Sequence, residues 1–326
     1  MEFRTTFEIK QPGSTITYKT PVLFLGSCFA SEIGKIMLEG KMNVLINPPG
    51  TLFNPSSISA HLRDLLNNTV YKTSDLILHD GHYLSLNHYT SFTSDDSEDL
   101  LARINSTTVR ARSFLQNASF LFITFGTARA YRYNDTGSIV SNCHRIPASK
   151  FSNELLDVEA IVSDWKDLLE KLALQYPSLD VIFTVSPVRH LRDGVHANQV
   201  SKSILFLAIE KLLELFPRSR YFPAYELLMD DLRDYRFYGD DLVHPSDKAV
   251  EYIWDAFSSA YLDKQTLNLW KEVRKVKLAT RHRPIGGSVS AVKSFASSML
   301  KTIDDLGSRN PGIDLGEERS VFESMI

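Results

Sequence analysis

The chain has 326 residues, of which 43% are hydrophobic and 23% charged, and its formal net charge at pH 7 is -3. These proportions are ordinary for a globular protein, and the small negative charge gives no electrostatic basis for binding nucleic acid or an anionic membrane. No apolar run approaches the roughly 20 residues that a membrane-spanning helix requires.

The N-terminal ten residues include acidic side chains and lack the apolar centre of a signal peptide. The two cysteines, Cys28 and Cys143, are too few for a disulfide framework, so we expect a cytoplasmic protein. Neither Cys-x-x-Cys nor His-Glu-x-x-His spacing occurs, and the adjacent Cys143 and His144 have no further ligand near them in the sequence. We therefore predict no metal and no cofactor.

Strands and helices alternate along the chain, which is typical of a mostly parallel sheet with helices on both faces. The predicted strands are short apolar runs that suit burial on both faces: 22–25, 44–46, 120–124, 181–185 and 220–222. The predicted helices are 31–39, 56–67, 99–116, 153–175, 197–215 and 247–261.

Two stretches interrupt this alternation. Residues 70–94 contain the turn pair Asp80 and Gly81 between two apolar runs, and residues 131–146 contain a polar turn at 134–137. Both patterns predict β-hairpins. Because both follow the ends of core elements, we expect these insertions to form walls of a site.

After residue 262 the pattern predicts a charged amphipathic helix that ends near residue 278. The remainder contains a Gly- and Pro-rich stretch at 283–288, and we expect a loosely ordered tail with a short helix at 291–300. The predicted organisation is thus an α/β domain at 1–262 and a C-terminal helix with its tail at 263–326.

The end of the first predicted strand is the most informative place in the sequence. The strand stops at Gly26, Ser27 and Cys28 follow at once, and a helix comes next. Ligands of open α/β sheets bind at the carboxyl ends of strands, where helix N-termini present free N–H groups and positive potential. That setting suits a nucleophile that passes through an oxyanion.

Each of these two residues has other interpretations. Ser27 is also in position to cap the following helix. Cys28 is a rival nucleophile, because a thiol at a helix N-terminus has a lowered pKa, although such cysteines are more often small buried residues.

A histidine and an aspartate precede the last predicted core helix. Histidine is the side chain best suited to proton transfer near neutral pH, and Asp241, three residues before His244, can curl back to orient its ring. Alternatively, Asp241 or Ser246 caps the helix and His244 is a solvated loop residue. A second Asp-x-x-His, at Asp193 and His196, follows the fourth strand instead, so its position in the topology favours His244.

The pentapeptide at 26–30, the Gly126-Thr127 pair and the Asp-x-x-His-Pro-Ser at 241–246 occur in the order found in the GSCFA family, which is grouped with the SGNH (GDSL-like) hydrolases. The sequence resembles that family over about residues 3–262. The resemblance implies a three-layer, flavodoxin-like (SGNH hydrolase) doubly wound parallel sheet with hairpin insertions. It also implies a serine esterase with Ser27 as nucleophile, His244 as general base and Asp241 as orienting acid.

The resemblance further implies an oxyanion hole formed by the N–H groups of Ser27 and Gly50 together with Thr127. Thr127 stands where the family pattern has an asparagine, and a hydroxyl differs from an amide in reach and donor geometry. Losing one oxyanion donor costs about 3 kcal/mol of transition-state stabilisation. This departure leaves open a non-catalytic ligand-binding module. A further alternative is an acyltransferase that uses the same residues with an alcohol acceptor in place of water.

Candidate substrate-binding residues are Gly126, Arg189, His190 and Tyr238. Arg189 can bind an anionic substrate group or form a surface ion pair. Aromatic residues near the terminal block either stack on a substrate or belong to the core. We expect the partner to be a small-molecule ester, with an acyl group such as acetyl on a carbohydrate-like or small polar molecule. The sequence leaves the oligomeric state open.

Overall fold

The computed structural model describes residues 4–11, 13–281 and 288–326. Its strands are β1 Val22–Gly26, β2 Val44–Ile46, β3 Ile77–His79, β4 His82–Leu84, β5 Thr93–Ser94, β6 Phe120–Phe125, β7 Arg129–Tyr133, β8 Ser138–Val140, β9 Phe151–Leu155, β10 Asp180–Val185 and β11 Arg220–Tyr221. Its helices are α1 Cys28–Glu39, α2 Pro55–Leu66, α3 Ser97–Asn117, α4 Val158–Gln175, α5 Val195–Leu215, α6 Ala224–Glu226, α7 Asp247–Tyr261, α8 Lys264–Thr280, α9 Val289–Arg309 and α10 Gly316–Glu323.

A five-stranded parallel sheet forms the centre, in the order β2-β1-β6-β10-β11. Counted along the chain, these five core strands have the order 2-1-3-4-5, so the winding reverses between β1 and β6. Ligands of doubly wound sheets bind at that switch point, outside the carboxyl ends of the strands. Gly26 pairs with Thr124 in the register, so the loops after β1 and β6 leave the sheet side by side.

Helices cover both faces of this sheet. Alternate residues of β1 point to opposite sides: Leu23 and Leu25 pack with α2, α3, α4 and α5, whereas Val22 and Phe24 pack with α1 and α7. Every residue of β1 and β6 is buried, as the continuous apolar runs predicted. The prediction of a mixed α/β protein with a mainly parallel core sheet is confirmed.

The predicted helix at 153–175 is wrong at its start. Residues Phe151–Leu155 form β9, which pairs with β7, and α4 begins only at Val158, where the Asp157 side chain accepts from the N–H of Ala160. Leu155 continues the helical spacing of the apolar residues of α4, and the predicted helix therefore included it. Its side chain is nevertheless 39% exposed. Pairing with β7 therefore outweighed the helical periodicity at this end.

Both hairpin insertions are present, and each gains a third strand. The first forms the antiparallel sheet β3-β4-β5 with its turn at Asp80 and Gly81, and the second forms β8-β7-β9. Apolar side chains including Leu84 and Val140 pack between them. The Tyr89 N–H donates to the Pro49 carbonyl oxygen at 2.9 Å, which ties the first insertion to the loop after β2.

The C-terminal part is more ordered than the sequence predicted. The predicted amphipathic helix is α8, but the short helix expected at 291–300 extends over Val289–Arg309, and α10 follows it. Ile303, Leu306 and Phe322 are buried against Val273 and Val276 of α8, and this packing stabilises the longer helix. The Gly- and Pro-rich residues at 283–287 lie outside the described part. No helix in the described ranges is long and apolar enough to cross a membrane.

Candidate active site

Ser27 lies at the turn between β1 and α1. It is fully buried, it occupies the N-cap position without a side-chain capping bond, and its Oγ has no hydrogen-bond partner in the described structure. The turn requires glycine at position 26, because Gly26 has φ +120° and a Cβ there would lie 2.2 Å from the Thr124 carbonyl oxygen. A buried hydroxyl without a partner costs free energy, so this arrangement of Ser27 lowers the stability of the folded state.

Gly126 brings the end of β6 against Ser27. A Cβ at position 126 would lie 3.0 Å from the Ser27 Oγ and 3.0 Å from the Phe53 carbonyl oxygen. That carbonyl accepts the N–H groups of Gly126 at 2.7 Å and Thr127 at 3.0 Å, which fixes the loop. The space beside the serine hydroxyl therefore depends on glycine at this position.

Asp241 and His244 form a pair on the loop before α7. The Asp241 Oδ2 lies 2.6 Å from the His244 Nδ1, and Oδ1 accepts the N–H groups of Val243 and His244 at 2.9 Å each. Hydrogen bonds from the backbone and ring of His244 lower the pKa of Asp241 to about 2, so the carboxylate is ionised at neutral pH. The contact directs the His244 Nε2 away from Asp241, as a general base requires.

Ser27 and His244 are not in hydrogen-bond contact, since the Ser27 Oγ bonds to nothing in the described structure. The His244 side chain is 55% exposed. It opens into a cleft of about 500 Å³ together with Cys28, Thr51, Phe53 and Tyr89. The structure thus joins two of the three predicted catalytic side chains and leaves the third buried at the neighbouring loop.

The predicted oxyanion donors all have partners within the protein. The Ser27 N–H donates to the Thr124 carbonyl oxygen at 3.1 Å and the Gly50 N–H to the Asn47 carbonyl oxygen at 2.8 Å. The Thr127 Oγ1 lies 3.0 Å from the Ser201 Oγ and accepts the Arg129 N–H at 3.0 Å. The expected hole formed by Ser27, Gly50 and Thr127 is therefore not free to bind an anion in this conformation.

The first turn of α1 has free donors instead. The N–H groups of Cys28 and Phe29 donate to no backbone carbonyl oxygen and to no N-cap side chain in the described residues, as is usual for the first turn of a helix. They follow Ser27 directly and lie at the positive end of the helix dipole. The turn after β1 thus retains a place for negative charge.

The thiol of Cys28 does not have the depressed pKa expected of a nucleophile at a helix N-terminus. Burial raises the pKa of Cys28 above its ordinary value, so the thiol is protonated at neutral pH. A protonated thiol is a weak nucleophile. The lowered pKa that made Cys28 a rival nucleophile is therefore absent.

The second Asp-x-x-His does not form a pair. Asp193 forms an ion pair with Arg129 at 3.3 Å and accepts a hydrogen bond from Asn153. His196 is exposed in the first turn of α5. Of the two Asp-x-x-His sequences, the one at 241–244 has its aspartate and histidine in contact in the described structure.

His190 lies next to Phe53, a residue of the cleft at His244. Its ring meets Phe53 edge-on with centroids 5.7 Å apart, and its Nε2 is buried without a partner in the described structure. Burial, together with the nearby Lys202 and His244, lowers the pKa of His190 to about 4. His190 is therefore neutral at pH 7 and lies near His244.

Lys202 was missed by sequence reasoning. It lies on α5, is 2% exposed, and its Nζ donates to the carbonyl oxygens of Gly126 and Ser186 at 2.6 Å each. No carboxylate in the described residues forms an ion pair with it, and burial lowers the pKa of Lys202 to about 7. The sequence does contain an indication of this burial, because Lys202 shares the helical spacing of Leu205 and Leu212 on the buried face of α5.

Arg189 and Tyr238 line a separate cleft of about 470 Å³, whose wall includes Asp241.

In the described ranges, no three His, Cys, Asp or Glu side chains are grouped so that they could hold a metal ion. The His144 Nε2 is instead within 3.0 Å of the carbonyl oxygens of Ser85 and His88.

Comparison with known proteins gives one family and, among solved structures, weak similarities. The sequence model of the GSCFA family matches residues 21–257. No curated protein matches the chain. The fold is similar to a carbohydrate esterase family 3 structure from Talaromyces cellulolyticus, with a TM-score of 0.34 and 8% identity over 78% of this chain and 99% of that chain.

The second similarity is to an acetyl xylan esterase from the rumen bacterium Butyrivibrio proteoclasticus, with a TM-score of 0.35 and 12% identity over 75% of this chain. The matched region spans 64% of that protein, which is less than two thirds of its length. Neither similarity is close enough to assign an activity.

Proposed function

Because the chain belongs to the GSCFA family, we propose that it is a serine esterase of the SGNH type with a Ser27–His244–Asp241 triad. One observation carries the proposal. The oriented Asp241–His244 pair and the buried, unpartnered hydroxyl of Ser27 lie on loops at the carboxyl edge of the same sheet. The core order 2-1-3-4-5, that of flavodoxin-like sheets, supports the finer fold assignment to a three-layer SGNH domain.

The proposed reaction proceeds through an acyl-enzyme. The Ser27 Oγ attacks the ester carbonyl while the His244 Nε2 takes its proton, and Asp241 stabilises the imidazolium that forms. The C–O bond to the alcohol then breaks, and the alcohol leaves with the proton from His244. Water, deprotonated by His244, attacks the acyl group and returns Ser27 to its hydroxyl form.

The mechanism requires a rearrangement before chemistry. The His244 ring must turn from its exposed position toward Ser27, and the half-exposed side chain has room to do so. Catalytic hydrogen bonds are often absent or long before substrate binds. The N–H groups of Cys28 and Phe29 are available for the oxyanion, whereas Gly50 and Thr127 contribute only if their present hydrogen bonds open.

The proposed substrate is an acyl ester, such as an acetyl ester, of a carbohydrate-like or small polar molecule. The cleft at His244 combines Phe53 and Tyr89 with Glu32 and Lys35, so its wall is part aromatic and part charged. A cleft of about 500 Å³ suits a small ligand. Gly126, Arg189, His190 and Tyr238 are the proposed substrate-binding residues.

One observation favours a non-catalytic binding module as a second candidate. The three oxyanion donors implied by the family pattern are all bonded within the protein, and Thr127 replaces an asparagine amide. A protein that only binds the ester has no need of these donors. This candidate predicts binding of a ligand without turnover.

Hydrolysis of acyl esters from acetyl to octanoyl tests the proposal. We expect Ser27→Ala and His244→Ala each to lower kcat/KM by about a thousandfold or more, because triad members act as a unit. Cys28→Ala and His196→Ala are matched controls and should stay within about threefold of the wild type. Activity that survives Ser27→Ala would reject the mechanism, and inactivity of the wild type on every ester would favour the binding module.

A further inference from the structure

Arg189 follows the end of β10 and has no counter-ion. The sequence allowed a surface ion pair for this side chain, but no carboxylate in the described ranges forms one with it. Its Nε is buried and has no hydrogen-bond partner, while the residue lines the cleft of about 470 Å³. A buried guanidinium N–H without an acceptor is costly, and such a group calls for an explanation, for example a ligand.

A second arginine lines the same cleft. Arg233 is exposed, and its side chain has no hydrogen bond or ion pair in the described structure. Two guanidinium groups therefore face one cavity with their donors unused. Guanidinium groups match the geometry of carboxylates and phosphates and bind them through paired hydrogen bonds.

The carboxylates at this cleft already have partners. Asp241 is held by the ring and backbone of His244, and Asp234 accepts the Arg236 N–H at 2.9 Å with the Arg236 Nε 3.7 Å away. The oxygens of both carboxylates thus already accept hydrogen bonds within the protein, whereas the side chains of Arg189 and Arg233 donate none in the described structure.

Tyr238 adds a neutral polar group beside Arg189. Both side chains line the cleft, and burial raises the pKa of Tyr238 while the charge of Arg189 lowers it in part, so the hydroxyl is neutral at pH 7. The Tyr238 hydroxyl donates only to the sulfur of Met229, at 3.2 Å, which is a weak acceptor. An anionic oxygen is a better acceptor for the same hydroxyl.

We propose that this arginine cleft, formed by Arg189, Arg233 and Tyr238, binds a carboxylate or phosphate group carried by the ester substrate. The inference rests on the proposed esterase function, because Asp241 and Val243 of the His244 loop form one wall of the cleft. An anion held there places the rest of the molecule beside the acid–base pair. The substrate class is thus an anionic ester, not a neutral one.

Three acetyl esters that differ in one substituent test the inference: 3-acetoxybenzoate, 3-acetoxyphenyl phosphate and the neutral 3-acetoxybenzamide. We expect the wild type to favour an anionic ester over the amide by about tenfold or more in kcat/KM, mainly through a lower KM. Arg189→Gln should remove that preference and Arg189→Lys should keep part of it. The carboxylate and phosphate arms show which anion the cleft prefers.

Arg192→Gln is the matched control, since Arg192 is an exposed neighbour that donates to the Tyr131 hydroxyl, and it should keep the wild-type preference. An equal kcat/KM for charged and neutral esters, or a preference that survives Arg189→Gln, would overturn the inference. If no ester is hydrolysed, the esterase proposal fails. Equilibrium binding of 3-hydroxybenzoate and 3-hydroxyphenyl phosphate then tests the anion site independently of hydrolysis. Binding that weakens about tenfold in Arg189→Gln supports the anion site, and no binding to the wild type rejects it.

Discussion

At the scale of single residues, the account depends on the space around the Ser27 hydroxyl. Gly126 leaves that space open, because its missing side chain would meet both the hydroxyl and the Phe53 carbonyl oxygen at 3.0 Å. A contact this close requires the neighbours to move by a few tenths of an ångström. Such a displacement is large for a nucleophile, since small misplacements of catalytic groups cost much in rate.

We therefore expect Gly126→Ala to lower kcat by about tenfold or more while the free energy of unfolding falls by only about 1 kcal/mol. Steady-state kinetics and urea denaturation measure the two effects. Gly307→Ala is the control, because nothing lies within 4 Å of a Cβ there and alanine favours the helix. A Gly126→Ala variant with the wild-type kcat would show that catalysis does not need the space beside the Ser27 hydroxyl.

Single residues also show what the sequence reveals and what it does not. The contact between Asp241 and His244 was expected from their spacing on a turn, and it is present at 2.6 Å. Their catalytic roles remain predictions. Lys202 and the missing counter-ion of Arg189 depend on which distant loops the fold brings together, and spacing along the chain does not contain that information.

At the scale of elements, α5 holds the two loops of the site through Lys202. The Nζ of this residue bonds the carbonyl oxygens that follow β6 and β10, so one side chain joins three elements. Its folded pKa of about 7 lies below the ordinary value of 10.5. Between these two pH values the unfolded chain binds the extra proton, so the free energy of unfolding rises with pH.

The slope from this one group is at most about 1.4 kcal/mol per pH unit. We expect the stability of the wild type relative to Lys202→Met to increase from pH 7 to pH 9 in denaturant unfolding experiments. Lys211→Met, on the same helix but with an exposed ion pair to Glu159, should give a difference that does not change with pH. Parallel curves for the wild type and Lys202→Met would contradict a buried, titrating lysine.

The elements that the sequence predicted correctly are those with strong local signals. Strands β1 and β6 are buried apolar runs, and α7 matches its predicted limits at Asp247–Tyr261. The start of α4 and the length of α9 were mispredicted, because pairing of β9 with β7 and packing of α9 on α8 decide them. Both depend on partners far away in the chain.

At the scale of the whole molecule, α8 connects the α/β core to the C-terminal helices. Trp270 of α8 packs with Trp254 of α7 in the core, with ring centroids 4.6 Å apart. One and two turns further along, Val273 and Val276 pack with α9 and α10. We expect the C-terminal helices to unfold together with the core rather than as a separate tail.

Phe322→Ala tests this coupling, because Phe322 is fully buried in the C-terminal cluster. We expect a loss of about 3 kcal/mol or more in the free energy of unfolding, seen as a shift of one cooperative transition. Val321→Ala, at an exposed neighbour, should change stability by less than about 0.5 kcal/mol. A separate early transition in Phe322→Ala would mean that the helices form an independent unit.

Covalent labelling tests the central claim most directly. A fluorophosphonate phosphonylates a nucleophilic serine with loss of fluoride, and intact-protein mass spectrometry with peptide mapping locates the adduct. We predict one adduct, on Ser27, that is absent in Ser27→Ala and retained in Ser31→Ala, which removes a serine that lines the cleft at His244. An adduct on another residue, or hydrolysis of esters that continues in Ser27→Ala, would contradict the account.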